Sequence, residues 1–268
     1  MKTKYLLLLL FFLPLPLYAQ YPGNILHVEI GGGLHTMTFD PGPQAQKKAG
    51  GGVGLRAEYR HFFNRKAGIG VGVGFSSYRS SAVLTDTEKD TWESYGVSVQ
   101  GRTDFDRWTE QQSVFNVSVP VSFYLQHIIN KRWSLIWGVG PQLDIPVNNE
   151  YTACDGKATR TIDGEVSVEE APKTLRRIKS APVGVSLGTD LGFHFDNQGS
   201  LPLYFGLYFN YGLTSFLNES ELPLYGERYA GFFASNRVGA AHLLSLGLKV
   251  GFSLNLSKTC TGGRCGFY

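Results

Sequence analysis

Charged residues are scarce in this sequence. Asp, Glu, Lys and Arg make up 18% of its 268 residues, with 25 basic against 22 acidic side chains. Two of the basic residues, Lys2 and Lys4, lie in an N-terminal segment that we expect to be removed, which leaves a net charge of +1. A nucleic-acid-binding protein needs an excess of Lys and Arg on one surface. The composition therefore excludes nucleic acid as a partner.

Helical periodicity is also missing. Beyond the N-terminal segment no stretch repeats its apolar residues every 3.6 positions, and the apolar residues alternate with a period of two instead. The abundant residues are Gly, Phe and Tyr, at 33, 18 and 14 copies. This composition is unusual for a soluble enzyme and indicates an all-β protein.

The N-terminus has the pattern of a signal peptide. Lys2 and Lys4 precede the apolar run "YLLLLLFFLPLPL", which is too short to span a bilayer with these flanks. "LYA" before Gln20 predicts cleavage after Ala19, and no Cys follows to carry a lipid anchor. We therefore expect residues 1–19 to be a signal peptide and the chain to be exported.

One short stretch shows the alternation most clearly. Residues 201–213 read "LPLYFGLYFNYGL", with large apolar side chains at every odd position and Pro, Tyr, Gly, Tyr, Asn and Gly at the even ones. The pattern recurs in "AGIGVGVGF" at 67–75 and "LLSLGLKVGFSLNL" at 243–256. It predicts eight strands, at 24–38, 51–62, 67–78, 114–126, 132–145, 181–195, 201–215 and 241–256.

The connections between these strands alternate in length. Short ones lie near 64–66, 128–131 and 196–200, and long ones cover 39–50, 79–113, 146–180 and 216–240. Short periplasmic turns and long extracellular loops are typical of a transmembrane barrel. The sequence therefore predicts an eight-stranded antiparallel transmembrane up-and-down β-barrel over residues 20–256, followed by a short periplasmic tail at 257–268.

The side chains on the two faces of each strand indicate whether the outside of the barrel meets water or lipid. A soluble barrel of the lipocalin kind turns its apolar face inward and covers its outside with charged side chains. Here the polar face is mostly Gly, Ser, Asn and Tyr, which suits the cramped inside of an eight-stranded barrel. The apolar face then points into hydrocarbon, where a closed barrel satisfies every backbone group. We expect aromatic girdles at both ends, of Phe123, Trp133, Phe193, Phe195 and Phe252 on the periplasmic side and Phe75, Phe115, Phe209 and Tyr211 on the outer side.

On these stretches the chain resembles small eight-stranded outer-membrane barrels of the OmpA/OmpX type and, more narrowly, the PorT-like family of outer-membrane barrel domains. The resemblance covers the mature chain and implies residence in the outer membrane of a Gram-negative bacterium. PorT-like membership implies a role in a protein secretion apparatus. The chain departs from the class in ending strand eight near Leu256, so that the final aromatic residue, Tyr268, lies outside the strand.

Charged residues occur at several inward positions of the predicted strands. Strands one, two and eight become neighbours when the barrel closes, so an acidic side chain on strand one can meet cations on both sides. Unpaired buried charges cost several kcal/mol, and we therefore expect a network that plugs the lumen and fixes register. A gated conduction path is the alternative. The predicted network comprises Glu29, Arg56, Glu58, Arg60, Asp190 and Lys249.

Some small outer-membrane barrels are enzymes that modify lipid A with a Ser, a His and an acidic residue at the outer rim, so we looked for such a set in this sequence. The spacing "HLLS" puts His242 and Ser245 on opposite faces of a strand, and His35 has no evident Ser and acid partners. We predict no catalytic residues, no cofactor and no metal site. Cys260 and Cys265 are expected to form a small disulfide loop in the tail, and Cys154 is left over in an outer loop.

The outer loops supply further expectations. Asp163-Gly164 predicts a hairpin turn in a protruding β-tongue at 146–180. Tyr225, Tyr229, Phe232 and Phe233 in the last loop are expected to pack over the barrel mouth. Together the sequence predicts a non-enzymatic outer-membrane barrel that acts as a structural or interaction component. The alternatives are a narrow channel, a lipid A-modifying enzyme or an adhesin. Expected partners are outer-membrane lipid, lipopolysaccharide and proteins of the envelope or secretion machinery.

Overall fold

The computed structural model describes residues 23–39, 45–84, 87–94, 97–162, 164–170, 173, 175–177, 180–196, 201–217, 240–256, 259–261 and 264–266. The predicted signal peptide and the four aromatic residues of the last loop lie outside these ranges. The strands are β1 (Gly23–Thr38), β2 (Ala45–Ala49), β3 (Gly51–Phe62), β4 (Ala67–Leu84), β5 (Thr87–Ser94), β6 (Val97–Ile128), β7 (Trp133–Ile162), β8 (Glu165–Glu170), β9 (Leu175–Arg177), β10 (Gly184–Phe195), β11 (Leu203–Gly212), β12 (His242–Asn255), β13 (Thr259–Thr261) and β14 (Arg264–Gly266).

Eight of these strands pair in a closed antiparallel ring. The order is β1, β3, β4, β6, β7, β10, β11 and β12, and β12 pairs back onto β1 from Ile25–Asn255 to Thr38–His242. The predicted eight-stranded up-and-down barrel is confirmed. The described residues contain no helix that is long and apolar enough to cross a membrane.

The outer face of the ring is apolar and the inner face is polar. Leu248 and Val53 are 68% and 62% exposed on the outside, whereas Glu58 and Ser245 are fully buried inside. Outward-facing aromatic residues lie at both ends: Trp133 contacts Phe193 and Phe195 below, with a centroid distance of 4.7 Å to Phe195. Only the hydrocarbon layer of a membrane accommodates such an apolar outer wall. Because the ring is closed, its backbone groups are paired between strands within that layer.

Two short turns at one end of the barrel use the same device. In the 63–66 turn, the side-chain oxygen of Asn64 accepts hydrogen bonds from the backbone N–H groups of Lys66 and Ala67. In the 129–132 turn, Asn130 accepts from Arg132 and Trp133 in the same way. An Asn side chain that mimics a turn hydrogen bond explains how the chain reverses in so few residues.

The strands between 67 and 162 are much longer than predicted. We expected strands at 67–78, 114–126 and 132–145 with loops between them, but β4, β6 and β7 have 18, 32 and 30 residues. The loop predicted at 79–113 is mostly strand, whereas the β-tongue predicted at 146–180 is present as the paired strands β7 and β8. Above the membrane the outward face meets water instead of lipid and carries polar side chains, so the contrast between the two faces fades. The backbone pairing of β6 with β7 nevertheless continues to Gly101–Ile162.

The extended strands build a sheet that projects beyond the ring. Its order is β5, β6, β7 and β8, since β5 pairs with β6 and β8 pairs with β7. The β7–β8 hairpin reverses between Ile162 and Glu165, where the sequence predicted a turn, and Gly164 has a φ of 85°. That left-handed conformation favours glycine. The 39–50 connection likewise contains a strand, β2, which pairs with the upper part of β4.

Candidate functional site in the barrel interior

Adjacent strands bring the six predicted interior charges together. In the register of the ring, Glu29 of β1 lies opposite Arg56 of β3, and Gly31 lies opposite Lys249 of β12. Glu58 and Arg60 continue the same face of β3, while Asp190 of β10 faces the group from the other side of the lumen. All but Arg56, which is half-buried, are almost completely buried. The inward positions of the neighbouring strands β1, β3 and β12, together with Asp190 of β10, therefore form one cluster.

Glu29 is the centre of this cluster. Its carboxylate lies 2.8 Å from the Nζ of Lys249, 3.7 Å from the Nε of Arg56 and 3.8 Å from the NH2 group of Arg60. Lys249 also lies 3.2 Å from Asp190, so one ammonium joins two carboxylates on different strands. The three acids and three bases of the network balance in charge, which limits the cost of burying them.

Aromatic side chains complete the network. The hydroxyl of Tyr124 donates to Glu58, and the Arg60 guanidinium lies 4.2 Å from the centre of the Tyr124 ring. Tyr204 donates to Asp190 at 3.0 Å. A cation over an aromatic face gains energy when both are desolvated. The lumen at this level is therefore filled by paired polar groups.

Sequence reasoning missed three members of this group, His27, Tyr124 and Tyr204. His27 Nε2 lies 3.0 Å from Glu29, and its Nδ1 lies 2.9 Å from the hydroxyl of Ser253. All three occupy inward positions of predicted strands. Their positions in the alternating pattern identify them as interior residues, but they were not predicted to join the network because only charged residues were considered.

A small polar chamber lies above the network. Its volume is about 50 Å³, and its walls include His35, Asp144, Tyr208, Asn210 and the glycines of β3 and β4. His35 Nδ1 lies 3.0 Å from the carbonyl of Ser77, and its Nε2 contacts the hydroxyl of Tyr208. Asp144 accepts a hydrogen bond from Asn116 at 2.7 Å. A space of this volume with so many polar partners suits a few ordered water molecules.

An apolar cluster lies at the outer end of the lumen. It draws on β1, β4, β6, β7 and β12 and on the segments that flank them. These side chains pack inside the wall above the chamber and narrow the outer end of the lumen. The cluster comprises Met37, Phe39, Tyr78, Ala82, Leu84, Trp108, Val114, Tyr151, Ala153, Phe216, Leu217, Ala241 and Leu243.

His242 and Ser245, the pair considered for catalysis, do not converge. Ser245 points inward and accepts a hydrogen bond from Asn210 at 2.8 Å, whereas His242 stacks against Tyr211 on the outer face. His35 lies directly opposite Ser245 in the β1–β12 register and lines the chamber together with Ser245 and Asp144, but its two ring nitrogens contact Ser77 and Tyr208 instead. No group of three or more metal-ligating side chains occurs in the described part of the chain.

The cysteines lie in two separate places. Cys260 and Cys265 are directly opposite each other in the β13–β14 hairpin, and their disulfide stays a prediction. Cys154 is a free thiol in β7, in the projecting sheet, with its Sγ 3.8 Å from Gln111. Burial, with the neighbouring Asp155 and Glu110 carboxylates, raises the pKa of this thiol. It is therefore a weaker nucleophile than an exposed cysteine.

Comparison with solved structures finds distant likenesses to outer-membrane proteins. Two crystal structures of Ail, the attachment invasion locus protein of Yersinia pestis, one in complex with the heparin analogue sucrose octasulfate, have 13% and 14% identity, with TM-scores of 0.31 and 0.32. Each alignment covers 87% of this chain and 99% of Ail. Neisserial surface protein A has 12% identity over 86% of this chain and 96% of its own, with a TM-score of 0.37. No protein-family profile and no curated protein matches the chain.

Proposed function

We propose that this chain is a non-enzymatic outer-membrane β-barrel protein that acts as a structural or interaction component of the envelope of a Gram-negative bacterium. A signal peptide at residues 1–19 would export it. Its outward surfaces and its periplasmic tail, rather than its lumen, would carry the function.

The projecting sheet is the observation that carries this proposal. About 9–11 residues suffice for a strand to cross a bilayer. β6 and β7 have 32 and 30 residues and remain paired beyond the ring, with β5 and β8 added at the sides. A paired sheet keeps its shape at little further entropic cost, so it presents a preformed surface to a partner.

A role in a secretion apparatus is the finer form of this proposal. It rests on the resemblance of the sequence to PorT-like barrels, and it would use the periplasmic turns or the tail for docking. The turns at 63–66 and 129–132 lie side by side, because β4 pairs with β6, and they expose Lys66, Lys131 and Arg132. A periplasmic partner with acidic residues would find complementary charge there.

A photoreactive residue at Val168 or Lys131 tests where partners bind. Val168 is 61% exposed on β8 of the projecting sheet, and Lys131 is exposed in a periplasmic turn. The control is the same probe at Leu248, which faces lipid on the outer wall. After irradiation of intact cells we expect a discrete protein adduct from Val168 or Lys131 that Leu248 lacks, identified by mass spectrometry.

The position of the adduct separates the two forms of the proposal. An adduct confined to Lys131 supports the secretion-apparatus role, and one confined to Val168 supports a surface role. Adducts from both sites no more abundant than those from Leu248 would contradict an interaction component.

The filled lumen predicts that the barrel does not conduct. The ion network and the apolar cluster both lie across the path, and the chamber between them holds about 50 Å³. In planar bilayers we expect no stepwise conductance from the purified protein, measured with a porin as positive control. Reproducible unitary steps would favour the channel alternative.

A further inference from the structure

A groove lies on the outer wall where the strand pairing of β4 passes from β3 to β2 with a one-residue shift in register. β3 pairs with β4 only as far as Gly54–Ser76, and β2 takes over the pairing with β4 from Ala49–Ser80 upward. Between these points lies a recess of about 370 Å³. It is lined by Gly51, Gly52, Val53, Ser77, Tyr78, Arg79, Ser113, Val114, Phe115, Asn148 and Glu150.

The outward face changes chemistry at the height of this groove. Below it lie Phe75 and Phe115, whose rings stack with centroids 6.4 Å apart, and the exposed Val53. One row higher, Arg79 of β4 lies opposite Ser113 of β6. An aromatic girdle followed by polar residues marks the level at which lipid headgroups begin. The groove therefore opens at the outer headgroup level.

Two cations lie at the upper edge of the groove: Arg79 of β4 lines it, and Lys48 of β2 lies just beyond it. Arg79 is exposed, and Lys48 of β2 lies opposite Ser81, two residues further along the same face. Diagonal neighbours of this kind on a sheet are about 7–8 Å apart. Within the described residues neither side chain forms an ion pair, so both are available to one anion. Arg in particular binds phosphate oxygens through two parallel hydrogen bonds.

The β7 side of the groove offers different chemistry. Ser113 lies opposite Glu150, and Glu150 accepts a hydrogen bond from Asn148 at 2.8 Å. Glu150 is about two strand spacings, or about 10 Å, from Arg79. A carboxylate there would repel a phosphate but would accept hydrogen bonds from the hydroxyl groups of a sugar.

We propose that this groove binds the phosphorylated sugar headgroup of an outer-leaflet glycolipid. The phosphate would lie against Lys48 and Arg79, and the sugar hydroxyls would donate to Glu150 across the groove. The acyl chains would run down the apolar wall over Phe75 and Phe115. The placement of charged, hydrogen-bonding and apolar side chains around the groove matches a ligand that is anionic at one side, hydroxylated at the other and apolar below.

Native mass spectrometry of the purified chain in detergent tests the assignment. The probes are bisphosphorylated lipid A and the same lipid after removal of its phosphates, and the variant is Lys48→Ala/Arg79→Ala. We expect the variant to bind the phosphorylated lipid about thirtyfold more weakly, because each of the two cations contributes about 1 kcal/mol. Binding of the dephosphorylated lipid should not change.

The control variant, Lys131→Ala/Arg132→Ala, removes the same charge from the opposite end of the barrel and should bind like the parent chain. A heat-dependent shift in gel migration shows that each variant is folded. Equal binding by the parent chain and the Lys48→Ala/Arg79→Ala variant would overturn the phosphate site. So would an equal loss in the control, since it would show non-specific charge attraction. Glu150→Ala, which removes the hydrogen-bond acceptor, should weaken binding of the dephosphorylated lipid, and unchanged binding of that lipid would overturn the sugar contact.

Discussion

Replacing Lys249 with Met should destabilise the barrel by about 3–5 kcal/mol, because it removes the nearest cation from two buried carboxylates. Lys249 lies 2.8 Å from Glu29 and 3.2 Å from Asp190, and all three side chains are almost fully buried. The methionine preserves much of the volume, so the loss reports charge rather than a cavity. Urea unfolding in lipid vesicles, followed by tryptophan fluorescence and by gel migration of unboiled samples, measures it.

The matched control is Lys157→Met in the projecting sheet. Lys157 lies 3.2 Å from Glu170, but the two side chains are 56% and 76% exposed. An ion pair in water contributes less than about 1 kcal/mol, so this variant should unfold almost like the parent chain. If Lys249→Met loses no more than Lys157→Met, the interior network does not hold the barrel together.

A second substitution distinguishes a network from separate pairs. Glu29→Gln in the Lys249→Met background removes the carboxylate that the first change stranded. Because the two groups are in direct contact, the combined loss should be smaller than the sum of the single losses. Additive losses would show that Lys249 and Glu29 stabilise the barrel independently.

The interior charges were predictable because lipid imposes contrast between the two faces of every strand. Glu29 and Lys249 are charged residues in strands whose other side chains are mostly small or apolar. Their positions in the alternating pattern are enough to place them inside the barrel. Tyr124 and Tyr204 have the same phase, but a tyrosine is equally at home in a girdle, in a core or in a lumen. Its hydrogen bonds to Glu58 and Asp190 depend on the stagger of the strands, which the sequence does not state.

The projecting sheet was harder to predict for a physical reason. Between 97 and 113 both faces of β6 lie outside hydrocarbon, and residues such as Asp104, Asp106 and Arg107 carry no alternation. The strand persists there because its backbone is paired with β7 and β5, not because of its side-chain pattern. The hairpin at Gly164 was predictable nevertheless, since a turn is a local feature of the sequence.

Gly138→Ala should destabilise the barrel by about 1–3 kcal/mol, the usual cost of overpacking. Gly138 faces inward on β7, and a Cβ added there would lie 2.5 Å from Asp190 Oδ1 and 2.5 Å from the Tyr124 ring. Neither neighbour is free to move, because Tyr124 is bonded to Glu58 and Asp190 to Lys249. The methyl group must therefore displace the network or widen the ring.

Gly54→Ala is the control that separates space from backbone conformation. Gly54 also faces inward in a strand, but it borders the chamber, and an added Cβ there would come no nearer than 3.4 Å to any atom. Alanine has less conformational freedom than glycine in the unfolded chain, so less entropy is lost on folding. The free energy of unfolding of this variant should therefore be unchanged or up to about 1 kcal/mol higher than that of the parent chain. Urea unfolding of the two variants side by side measures the difference. Equal effects would mean that the inward glycines serve strand conformation, whereas a loss confined to Gly138→Ala shows that they make room for the paired charges that fill the lumen.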